Sequence, residues 1–130
     1  MPVHWTVSHS ARLVVAVAKG DVTPADFERY FAGVTADGAM AYAKIFEITH
    51  TPSALNEENL KSLGERVIYY AKHGQIGPVA IVAASDESYA QAQVFAAAAK
   101  VNRPLAIFRE LHDARRWLDA QPLSPAGEPG

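Results

Sequence analysis

One short stretch holds the densest set of side chains able to do chemistry: Glu47-Ile48-Thr49-His50-Thr51-Pro52-Ser53. It carries a carboxylate, an imidazole and three hydroxyls. It reads as the loop that follows a strand and precedes a helix, where free backbone amides favour anionic groups. Histidine is the side chain that ordinarily titrates near neutral pH, so His50 adds a switchable charge. Glu47, Thr49, His50, Thr51 and Ser53 are therefore the first candidate binding site. A plainer use of the same residues is open: serine and threonine commonly cap helices, and the hydroxyls with His50 could satisfy the loop and the helix start. Catalysis by His50 and Glu47 would need a nucleophile or a metal set, and neither accompanies them.

Ser85-Asp86-Glu87 occupies the equivalent place after a later strand, which makes Ser85 and Asp86 a secondary candidate. Paired acids there could serve acid–base chemistry or hold a metal. An N-cap serine followed by first-turn acids explains the same pattern through the helix dipole. Arg109-Glu110 could bind an anion or form a surface ion pair. The histidines His4, His9, His50, His73 and His112 lack metal-ligand spacing, and no metal or other cofactor is expected. The chain has no nucleophile elbow, no Walker loop and no dinucleotide glycine pattern. With no cysteine, thiol chemistry and disulfides are excluded.

The elements that must position these residues alternate between strand and helix patterns. Val3–Ser8 and about 12–19 read as a hairpin around His9-Ser10, with Trp5 and Val7 on the buried side of the first strand. Thr23-Pro24-Ala25-Asp26 opens a helix whose Phe27, Tyr30, Phe31 and Val34 form one stripe. A third strand runs from about Ala41 to Thr49, apolar at both parities until Glu47. A helix starting between Ser53 and Asn56 follows. It buries Leu60, Leu63, Val67 and Ala71, and Gly74 is expected to stop it in a left-handed conformation. Val79 to Ala84 is apolar throughout, as in a strand buried on both faces. An alanine-rich helix follows, with Tyr89, Ala92, Phe95, Ala96 and Ala99 on one side. The strand Leu105–Phe108 comes next, then a last helix with Ala114, Trp117 and Leu118 on its apolar face.

The order β-β-α-β-α-β-α-β-α predicts an α/β fold with a mixed, mostly parallel five-stranded sheet and crossover helices. Right-handed crossovers put all the connecting helices on one face if the strands follow chain order. The other face is then apolar enough to need cover, and a partner, a second copy or a ligand is expected there. The chain of 130 residues suits one domain, with 49% hydrophobic and 20% charged residues, ordinary for a globular protein. A net charge of -2 disfavours nucleic acid. No apolar run reaches the ~18 residues of a membrane span, and the start lacks a secretory signal, so the cytoplasm is the expected setting. The stretch 121–130 is rich in Pro, Ser, Ala and Gly and is expected to be a disordered tail.

Taken together, the element order and the closing residues resemble the SpoIIAA-like group of small bacterial domains, related to the STAS domains of sulphate transporters and anti-sigma factor antagonists. The matching residues are Gly20-Asp21-Val22-Thr23, Ala80-Ile81-Val82, and Arg103-Pro104-Leu105-Ala106-Ile107-Phe108-Arg109-Glu110-Leu111 with Ala114 and Trp117-Leu118. The resemblance covers about residues 3–120 and implies the SpoIIAA-like fold. In the anti-sigma antagonists a serine in an Asp-Ser-Ser-Gly-like loop after the third strand is phosphorylated. Here Glu47 to Ser53 lacks the Asp-Ser pair and the glycine, and Pro52 removes a backbone amide. The resemblance thus implies a non-enzymatic regulatory or protein-interaction module, expected as a homodimer or with a protein partner. Related folds include carriers of hydrophobic molecules. The alternative is therefore a carrier or sensor of a small apolar or anionic ligand, seated near Tyr42, Phe46 and His50.

Overall fold

The computed structural model describes residues 3–20, 22–49, 56–101 and 103–121. Nine elements follow in order: β1 (Val3–Ser8), β2 (Leu13–Lys19), α1 (Pro24–Ala36), β3 (Ala43–Thr49), α2 (Glu57–Lys72), β4 (Val79–Ala83), α3 (Asp86–Ala98), β5 (Leu105–Phe108) and α4 (Leu111–Asp119). The fold is α/β. The five strands lie in chain order across one sheet, with β1 antiparallel to β2 and the rest parallel.

Local chemistry sets the helix starts. Thr23 caps α1 and forms a reciprocal capping box with the buried Asp26, whose carboxylate accepts from the Thr23 amide at 2.9 Å. That backbone bond, with Arg29 beside it, holds the Asp26 carboxyl below its usual range despite burial. Asn56 caps α2, exchanging bonds with Asn59 at 2.7 and 3.2 Å. Ser85 caps α3 by accepting from the Ser88 amide at 3.0 Å. The stop of α2 differs from expectation. Its C-cap is His73, and the glycines with positive φ among the described residues are Gly20 and Gly38, not Gly74.

Register assigns each strand residue to a face. Val14, Ala16 and Ala18 lie beside Lys44, Phe46 and Ile48, which lie beside Val79, Ile81 and Ala83. This face joins the main core with α1, α2 and α3. The opposite face, with Ile45, Ala80 and Val82, receives Ala114 and Leu118 of α4. Here the sequence expectation needs correction. Crossover handedness constrains helices between parallel strands, and α4 follows the last strand, so it is free to return under the other face. The chain itself therefore covers the part of that face formed by β3, β4 and β5.

No helix of the described residues is long and apolar enough to cross a membrane. The tail expected at 121–130 lies outside the described residues from 122 onward. Gln121 is described, and its side-chain amide donates to the Trp117 carbonyl at 3.1 Å.

Candidate functional site

Small residues leave space inside the helical face. Ala16, Ala18, Ala83 and Ala92 are buried and carry little side-chain volume. α2 packs on α3 and, more lightly, on α1, and its Leu60, Leu63 and Val67 join the strand residues in the main core. The α2–α3 contact is close because Gly64 faces Ala98, where an added Cβ would sit 2.5 Å from the Ala98 Cβ. Aromatic rings brace the opposite wall: Phe27 stacks on Phe46 at 5.5 Å, and Tyr30 meets Phe46 edge-on at 5.4 Å.

The result is a cavity of about 100 Å³ between the sheet and α1, α2 and α3. Its lining is apolar along most of its length, through residues such as Phe46, Ile48, Leu63, Val67 and Ile81. The exceptions are polar and sit at the amino ends of β3 and β5: Lys44 and Arg103, with Tyr30 and Gln91 also on the wall.

Lys44 is 5% exposed, on the same face as Phe46. Its ammonium donates to the Tyr42 carbonyl at 2.9 Å and to the Met40 carbonyl. Burial, with the Arg103 charge nearby, lowers its pKa to about 7. Arg103 donates through Nη1 to the Gly77 carbonyl at 3.1 Å, and its buried Nε has no hydrogen-bond partner. Burial lowers the Arg103 pKa to about 10. Burial raises that of the Tyr30 phenol, while the Arg103 charge opposes the rise. Among the described residues, no carboxylate forms an ion pair with Lys44 or Arg103. Lys44 is thus a buried cation and Arg103 a partly buried one, and charges taken out of water are ordinarily paired.

The sequence candidates fall elsewhere. Glu47 lies on the opposite face, between Val17 and Val82 in register, and is half-buried. Thr49 donates to the Ala18 carbonyl at 3.1 Å. His50, Thr51 and Ser53 lie outside the described residues. The cap of α2 is Asn56, so the reading that hydroxyls of the 49–53 stretch begin this helix is corrected. Asp86 accepts from Arg109 at 2.9 Å on the surface, while Arg109 also lies 4.3 Å from the Tyr89 ring centroid. Arg109 thus pairs across to α3 rather than with its neighbour Glu110. Phe46 lines the cavity as expected. Tyr42 does not, because its hydroxyl bonds His9 Nδ1 at 2.7 Å and its ring faces Arg12.

Lys44 carries a signal in the sequence that apolar counting passes over. A lysine at the Phe46/Ile48 parity of a strand apolar on both sides is out of place unless something inside uses its charge. Arg103, next to Pro104, reads as ordinary turn polarity, and nothing local marks it as buried.

No family model, curated protein or solved structure matches this chain. The cavity and its two cations carry the functional reading by themselves.

Proposed function

We propose that this protein is a non-enzymatic carrier or sensor of a small, largely apolar ligand held between the sheet and α1, α2 and α3. The observation that carries the reading is the cavity: largely apolar walls from the sheet and three helices leave open space where a core would ordinarily close at native density. The resemblance to the SpoIIAA-like and STAS-like domains agrees with a binding or regulatory role in the cytoplasm.

The test is native mass spectrometry of protein purified gently from its host, beside the cavity-filling variant Ala92→Phe. A bound mass of small-molecule size that disappears in Ala92→Phe supports the carrier. Bare protein in both samples, with no uptake of added apolar probes, counts against it.

A second reading, a protein-contact module acting as a dimer, has one observation in its favour. α4 leaves β1 and β2 open on the far face, where Val15 and Val17 are half-buried beside the exposed His4 and Thr6. The same spectra separate the two readings, since a dimer without bound mass favours contact.

A further inference from the structure

The cavity is not uniformly apolar, and its polar end has a definite chemistry. Lys44 uses its ammonium on the Tyr42 and Met40 carbonyls, and an ammonium has three donors. One N–H is left. Arg103 spends Nη1 on the Gly77 carbonyl, while Nε is buried without a partner. Nε and the neighbouring Nη2 form the edge of a guanidinium that grips a carboxylate with two parallel bonds. Both side chains line the cavity.

The setting of these cations is rigid. Gly77 packs against the 41–42 backbone so tightly that a Cβ there would lie 2.3 Å from the Tyr42 carbonyl oxygen. The carbonyls of Met40, Tyr42 and Gly77 are thereby fixed around Lys44 and Arg103. They orient the two cations but do not neutralise them. The other titratable group on this wall is the Tyr30 phenol, which burial keeps protonated. An anion entering here meets positive charge against largely apolar walls, where its attraction is stronger than in open water.

We propose that the cavity selects an alkyl monocarboxylate, its carboxylate seated on Lys44 and Arg103 and its alkyl chain lying along Phe46, Ile81 and Leu63. This deepens the carrier reading and rests on it. A bound carboxylate restores charge to Lys44, so binding near neutral pH takes up a proton.

The test is calorimetric titration of the full chain with octanoate, octanol and octylamine at about pH 7.5, repeated in two buffers of different ionisation enthalpy. Octanoate should bind about 10- to 100-fold more tightly than octanol, the factor expected for hydrogen bonds to charged groups. Octylamine should be weakest. The buffer comparison should show a fraction of a proton taken up with octanoate and none with octanol. Lys44→Met and Arg103→Gln should each lose the preference for octanoate while keeping octanol. Arg103→Gln keeps a donor for the Gly77 carbonyl, so it remains informative should one variant fold poorly. Octanol binding as tightly as octanoate, without proton uptake, overturns the head-group assignment and leaves the carrier reading standing. Failure of all three probes to bind overturns both.

Discussion

Replacing Lys44 by methionine gives the sharpest energetic prediction, because the buried ammonium has a pH signature of its own. Its pKa is 10.5 when unfolded and about 7 when folded. Between those values the unfolded chain binds more protons than the folded one, so stability rises with pH across the window. Below about pH 7 both states are protonated and the full penalty of burial applies. From about pH 7.5 to 9.5 the linkage amounts to about 2–3 kcal/mol in the wild type. Lys44→Met removes that increment. At about pH 7.5 the variant should be more stable by about 1–3 kcal/mol, because relief of charge burial outweighs about 1 kcal/mol for each lost bond to the Met40 and Tyr42 carbonyls. By about pH 9.5 that advantage should shrink to near zero or reverse. The assay is urea unfolding of both proteins at the two pH values, with equal m-values as the check that both unfold from comparable states. Titrations of groups remote from Lys44 cancel in the difference. Parallel pH profiles for wild type and variant would refute the reasoning, since Lys44 would then not be a desolvated cation.

Other substitutions probe the surrounding frame. Gly77→Ala places a Cβ against backbone oxygens of residues 41 and 42 that cannot swing aside, and should cost about 2–4 kcal/mol in urea unfolding. Gly64→Val pushes α2 away from Ala98 on α3, and should lower stability by about 1–3 kcal/mol while changing affinity for apolar probes. Asp86→Ala breaks only the surface pair with Arg109, and should leave thermal stability within about 0.5 kcal/mol of wild type.

Much of the fold is legible in the sequence because its signals are local. Thr23-Pro24-Ala25-Asp26 announces the start of α1 and delivers a capping box there. Val79 to Ala83 is apolar at every position, and every one of those residues is buried. The alternation of Trp5 and Val7 with Thr6 places β1 correctly on the half-buried sheet edge. What escapes local reading depends on tertiary placement. Ala114, Trp117 and Leu118 show that α4 has an apolar face, but not which side of the sheet receives it. The space beneath α2 depends on the volumes of alanines on other elements and on how closely Gly64 meets Ala98.

The candidate site was less legible than the fold. Reactive side chains cluster in the 47–53 loop at the carboxyl end of β3, and general rules for parallel sheets favour that end. The structure gathers the cavity's positive charge at the other end, from Lys44 at the start of β3 and Arg103 just before β5, 59 positions apart by subtraction of their numbers. Arg103 is not unusual in its own neighbourhood of sequence, and Lys44 stands out only by its parity. Only the parallel β3–β4 and β4–β5 pairings, which bring these strand starts together, make them a pair.

The measurement that bears most directly on the ligand cavity is a methyl-resolved NMR titration of the full chain with octanoate. If the ligand lies between the sheet and α2, the methyls of Ile48, Leu63, Val67 and Ile81 shift together and saturably, while Val15 and Val17 on the open far face stay still. If Val15 and Val17, or Val82 and Leu118 under α4, shift and the cavity methyls do not, the space between sheet and helices is not the binding site.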